Sequence, residues 1–161
     1  MSNSIAKPTL LRVGWREWVQ LPDIGIPAVK VKIDTGARTS ALHALKIERK
    51  KKQGTDLVSF AVQPLQRNDN IVVDCEAPLV DIRTVSDSGG HTENRYVVRT
   101  RMVIGTLEED IDITLTERHT MMFRMLIGRT ALAEKVLVDP AASFLCGRKS
   151  TRLLYSSQAE G

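Results

Sequence analysis

Apolar and polar residues alternate in short runs along most of this chain. Val29, Val31 and Ile33 alternate with Lys30 and Lys32, and the run stops at Asp34-Thr35-Gly36. A period of two sends successive side chains to opposite faces of a strand, so this run predicts a strand with one buried face. Similar alternating or β-branched runs predict strands over 57–62, 71–73, 79–85, 96–104, 111–116, 123–127 and 136–138. Most are bounded by Gly, Pro, Asn or Asp, the residues that favour turns. Helical signals are few. Thr130–Lys135 reads Thr-Ala-Leu-Ala-Glu-Lys, a short helix of good formers behind a Thr able to cap it. Many short strands at close turn spacing predict an all-β barrel or sandwich.

Composition adds limits. A chain of 161 residues fits one domain and can bury a core without a disulfide or metal staple. Apolar residues make up 42% and charged residues 26%, which excludes a collagen, a disordered chain and a coiled coil. No apolar stretch is long enough to span a bilayer, so no membrane partner is expected. The net charge of +4 points weakly to a polyanionic neighbour such as RNA or a ribosome. The densest basic run, Arg49–Lys52, reads as a solvated loop before Gln53-Gly54. Cys75 and Cys146 stand alone, with no Cys-x-x-Cys spacing, and fit reduced thiols in the cytosol. Residues 1–7 lack the apolar segment of a secretion leader, so the expected location is cytoplasmic. A polar tail runs from about residue 150, and its last stretch, Ser156 to Gly161, is expected to fray.

The segment around Asp34-Thr35-Gly36-Ala37 carries the candidate chemistry. An apolar strand delivers a carboxylate into a turn that holds a hydroxyl and the residue most tolerant of unusual backbone angles. Taken alone, three such letters describe a common Asx turn. Near the other end, a strand of bulky residues closes on Ile127-Gly128-Arg129 and leads into the short helix. Between them, Gly89-Gly90 sits between two strand-like runs and suits a hairpin tip.

Together these blocks resemble the retropepsin-like aspartic proteases. The Gly14–Trp18 opening, the Lys32–His43 block, Val85–His91, Arg124–Leu132 and Val138-Asp139-Pro140 resemble one bacterial family more closely. It is the retropepsin-like family associated with RimK-type glutamate ligases, often labelled "ATP-dependent zinc protease". The resemblance runs from about Val13 to Leu145. It implies a closed acid-protease β-barrel with one short C-terminal helix, forming a single domain with its core over about 13–145. It implies Asp34, Thr35 and Gly36 as the catalytic triplet. Ala37, Arg38 and the flap residues Ser88, Gly89, Gly90 and His91 would meet substrate, while Gly128 and Arg129 would support the active loop. No cofactor is implied by these residues.

Aspartic proteolysis uses two carboxylates sharing one proton. The chain has one Asp-Thr-Gly, so the second carboxylate is expected from a second copy, in a symmetric homodimer. The expected substrate is a peptide or protein, rich in glutamate by the family's association, with a ribosome or a glutamate ligase as further partner. One position departs from the viral pattern. The residue after Asp-Thr-Gly-Ala is there usually acidic and pairs with the late Arg, but here it is Arg38. Arg129 therefore needs another acceptor: Asp74, Asp139 or a backbone carbonyl. Arg38 is left to face an acidic substrate.

Two other readings stay open. The zinc label directs attention to His43, His91, His119, Cys75 and Cys146, yet no His-Glu-x-x-His is present. No phosphate-binding Gly-x-x-x-x-Gly-Lys-Ser/Thr occurs either. The third reading is a basic adaptor of a ligase or ribosome that keeps the fold without the chemistry.

Overall fold

Most alternating runs become strands in the computed structural model, which describes residues 9–86 and 89–155; the run at 71–73 contributes only Val73 to a strand, and the run at 123–127 only its last three residues. The strands are β1 (Leu11–Leu21), β2 (Ile26–Ile33), β3 (Ser40–His43), β4 (Leu45–Lys52) and β5 (Thr55–Val62), then β6 (Val73–Ser86), β7 (Thr92–Ile104), β8 (Leu107–Thr116), β9 (Met125–Ile127) and β10 (Val136–Ser143). They form one sheet in the order β10-β1-β2-β9-β3-β8-β7-β6-β5-β4. The alternation in β2 works as its pattern requires: Val29, Val31 and Ile33 are buried, Lys32 is exposed and Lys30 half-buried. Fully buried Leu21, Leu42, Met102, Ile113, Leu115 and Met125 carry the core to the other strands.

Strand β2 runs between antiparallel β1 and parallel β9, with Ile33 opposite Ile127. This pairing brings Asp34 beside Gly128, although 94 positions separate them. The long strands β6 and β7 pair from Leu79↔Val98 to Ser86↔Thr92 and project a hairpin whose tip contains Gly89 and Gly90.

Three expectations are corrected. A single pair, Gln20↔Val103, joins β1 to β7, so the sheet is a partly closed ring flanked by open strands and not a fully closed barrel. Two short helices occur among the described residues, α1 (Arg129–Leu132) and α2 (Thr151–Leu154), along with a 3-10 turn at Pro22–Ile24. The Arg49–Lys52 run is solvated but is no loop. It belongs to edge strand β4, whose backbone pairs with β5, and lysines on an edge discourage further strands from adding. The tail is fastened as far as Tyr155, whose buried hydroxyl donates to the Ala28 carbonyl and accepts the Ala28 N–H at 3.3 Å. The stretch expected to fray, 156–161, lies outside the described residues.

Burial pushes the Cys75 and Cys146 thiols up to about 12 and about 11, so both stay protonated at neutral pH. No described helix is long and apolar enough to cross a membrane.

Candidate active site

Strand β2 ends by handing Asp34 into a tightly bonded loop. The Asp34 N–H donates to Ile127 O at 2.8 Å, which continues the β2–β9 ladder by one rung. The Gly36 N–H donates to Asp34 Oδ1 at 3.1 Å, and the Ala37 N–H donates to Asp34 O at 3.2 Å. These bonds fix the carboxylate by one oxygen and leave Oδ2 uncommitted among the described residues. Asp34 and Ala37 are half-buried, whereas Thr35, Gly36 and Arg38 are exposed.

The segment after β9 clamps this loop from behind. The Gly128 N–H donates to Ser40 Oγ at 3.0 Å, and the Arg129 N–H to Ala37 O at 2.8 Å. The Thr130 N–H and hydroxyl both donate to Arg38 O, at 3.2 and 2.9 Å. Gly128 is buried against Thr39, whose backbone atoms would lie 2.5–2.8 Å from any Cβ placed there. No side chain fits, so the loop and the β9 turn can cross only because this residue is glycine. Arg129 Nη1 donates to the carbonyls of Thr35 and Gly36, each at 3.1 Å. Of the three expected acceptors, the backbone is the one used. Asp139 instead pairs with Arg12 and caps the Ala141 N–H. The Arg38 guanidinium makes no hydrogen bond or ion pair among the described residues.

Of the flap residues, Gly89, Gly90 and His91 sit exposed at the tip of the β6–β7 hairpin, with Gly90 at a left-handed φ of 85°. Ser88 lies outside the described residues. The structure thus gathers Asp34–Arg38, Gly128 and Arg129 into one bonded unit and places the flap triplet on a separate hairpin.

Two of the three histidines, His43 and His119, meet, while His91 sits on the β6–β7 hairpin. His43 is fully buried at the end of β3, where its Nδ1 accepts the Arg118 N–H at 2.9 Å, so its proton resides on Nε2. Burial, and then the charge of Arg124, hold this imidazole below its usual range and keep it neutral. His119 packs edge-on to it at 5.1 Å and pairs with Glu117 at 3.3 Å. Among the described residues, no three His, Cys, Asp or Glu side chains are placed to hold a metal ion.

Three positioning residues escaped the sequence reading. Ser40 and Thr130 clamp the Asp34 loop; Thr130, expected to cap the helix, instead lies inside α1, whose N-cap is Gly128, and spends its hydroxyl on Arg38 O. Glu17 is fully buried between half-buried Arg16 and Trp18. Its carboxylate accepts the N–H groups of Gly14, Leu145 and Cys146 at 2.7–3.0 Å and ties the segment after β10 to β1.

Chemically, the unit offers one half-exposed carboxylate on a rigid turn, with a free oxygen and open backbone beside it. Residues 12–149 match the RimB-like family, described as retropepsin-like aspartic endopeptidase RimB. Among curated proteins, a probable alpha-L-glutamate ligase from Shewanella pealeana is 42% identical over 85% of this chain and 30% of its own length. Another from Desulfotalea psychrophila is 40% identical over 96% of this chain and 32% of its own. The chain therefore spans about a third of the length of these relatives. A crystal structure of a protein of unknown function from Legionella pneumophila is similar at a TM-score of 0.73. It is 27% identical, and the match covers 86% of this chain and 99% of that one.

Proposed function

The chain belongs to the RimB-like family of retropepsin-like aspartic endopeptidases, and from this we propose that it is an aspartic-type peptidase working as a homodimer. Each copy supplies one Asp34. The observation that carries this reading is the Asp34–Gly36 turn, held from behind by Gly128 and Arg129 while its front stays exposed.

Two such turns meeting at a two-fold axis would bring their carboxylates about 3 Å apart, where both cannot ionise. The ionised member takes a proton from water as that water attacks the peptide carbonyl. The protonated member donates to the carbonyl oxygen, and the tetrahedral species collapses with the proton passing to the leaving amine. Thr35 is exposed and suited to bond across the axis. Gly36 leaves room in front of the carboxylate, since a Cβ there would touch only Asp34 Oδ1, at 3.4 Å. The flap residues Gly89, Gly90 and His91, on the β6–β7 hairpin, close over the substrate.

The substrate follows from two lines of support. Relatives over this region are called glutamate ligases, and the uncommitted Arg38 beside the active turn suits a carboxylate. We therefore assign a polypeptide carrying added glutamates, such as a ribosomal protein, as substrate.

The test is cleavage of glutamate-tailed peptides by the wild type and by Asp34→Asn, each with and without chelator. The expected result is a loss of roughly 10²- to 10⁴-fold in the variant, with its melting curve unchanged and no response to chelator. Equal activity of the two proteins would end the aspartic reading. Inhibition by chelator would favour a metallopeptidase. A protein that binds a ligase or ribosome and cleaves nothing would favour the adaptor.

A further inference from the structure

The cation–π contacts among the described residues fall in one place. The Arg16 guanidinium lies between Trp15 and Phe144, 4.8 and 4.9 Å from their ring centres. Lys30 Nζ stands 5.3 Å from Trp18 and 5.6 Å from Phe144, and Arg148 covers Phe144 at 4.7 Å. Trp18 and Phe144 stack at 6.5 Å beneath these cations. Arg67 is near enough that it, with Arg16 and Arg148, adds to burial in holding the Lys30 amine below its usual range. Arg16, Lys30 and Arg67 line an open groove of about 1210 Å³ that β1 and β2 share with the 63–69 and 119–124 segments.

No carboxylate answers these four cations among the described residues. Several cations elsewhere stand singly against an acid, Arg99 with Asp112, Lys52 with Glu76 and Lys135 with Glu109, whereas here four are gathered around one set of rings. Near the groove the acids are already engaged. Glu17 turns inward to three backbone N–H groups, and Asp69 is held by Arg124 at 2.6 Å. Four like charges gathered without a counter-ion repel one another, and an anionic ligand relieves that repulsion.

We infer that this groove is a docking site for an acidic stretch of polypeptide, read through consecutive carboxylates. The aromatic rings favour this ligand over a nucleic acid. Single-stranded nucleic acids bind by stacking bases on bare rings, but here Trp15, Trp18 and Phe144 are covered by the chain's own cations. Those rings hold the long side chains in place, so less of their freedom is lost on binding. The groove also leads towards the active turn. Lys30 precedes Asp34 by four residues on one strand, a rise of about 13 Å, which about four extended residues span. A second hollow sharing Trp15 and Phe123 continues to Lys32 and Leu126, the residue before Ile127. An acidic segment seated here would present a bond a few residues away to Asp34. Only that last step rests on the peptidase reading.

Binding can therefore be read without turnover, by fluorescence anisotropy of a labelled oligoglutamate peptide on the Asp34→Asn protein. Replacing Lys30, Arg67 and Arg148 by Gln should weaken binding roughly tenfold or more. The charge-matched control, Gln at Lys50, Lys51 and Lys52, should change it less than about threefold. Arg67→Glu, on an exposed residue, gives the same direction should the triple variant melt early. Equal weakening by both triples, no oligoglutamate binding, or equally tight binding of oligoglutamine or single-stranded RNA would overturn the inference. Retained binding by a protein whose wild type cleaves nothing would sink the peptidase reading and leave the groove standing.

Discussion

Gly128 measures how little room the active turn has. A methyl group there would lie 2.5 Å from the Thr39 carbonyl, which is backbone and cannot swing aside. Gly128→Ala should therefore cost about 1–3 kcal/mol in urea unfolding and lower the cleavage rate, because the displaced Thr39 ends the loop that begins at Asp34. Gly36→Ala is the contrast: its Cβ meets only Asp34 Oδ1, at an ordinary 3.4 Å. It should fold with nearly the parent midpoint. If Gly128→Ala melts like Gly36→Ala, the crossing is looser than this geometry requires. Both glycines were legible because each lies inside a short ordered motif. Ser40 and Glu17 were not, since their roles exist only through partners far along the chain. Glu17 meets Leu145 and Cys146 across separations of 128 and 129 residues. Alternation cannot reveal a buried carboxylate that takes backbone N–H groups in place of a cation.

Strands were legible where one face is dry. Strand β2 shows it: three apolar residues bury and the lysines between them point out. Strand β1 was missed because the register shifts between Gly14 and Arg16 and again between Val19 and Leu21, which breaks the period of two. Strand β4 was missed because residues 48–52 are exposed throughout and look like a loop by composition. Helix α2 has four residues and no amphipathic period, and buried Tyr155 at its end fastens it to β2. At this scale β3 and the turn after β8 are joined by His43, and the join is sensitive to pH. Folding lowers the His43 pKa, so the unfolded chain binds the proton more readily. Its contribution is complete above the unfolded value of about 6.5 and is lost as pH falls below it towards the lowered folded value. Urea midpoints should therefore drop between about pH 7.5 and about pH 5, and His43→Gln should remove part of that drop. Identical pH profiles in both proteins would assign the titration to another group.

The whole molecule raises the question of what completes the site. Asp34 lies on a turn whose Thr35 and Gly36 are exposed, and the chain carries one Asp-Thr-Gly. The proposed dimer gives this exposure a purpose, because each copy lends the other its missing carboxylate. Mixing makes the proposal quantitative. Suppose wild type and Asp34→Asn are combined in equal amounts and allowed to exchange subunits. Random pairing leaves about a quarter of the dimers with two Asp34 residues. If both carboxylates are needed, activity per total protein should settle near about a quarter of the pure wild-type value. Copies working alone would retain about half, because dilution by an inert protein removes only its own share. The two outcomes differ by a factor that a progress curve resolves. The approach to the lower value should follow the rate of subunit exchange, so activity read at once after mixing starts near about half and falls. A level that stays at half after complete exchange, followed with differently labelled copies, would mean that one Asp34 suffices and the second copy adds nothing to the chemistry.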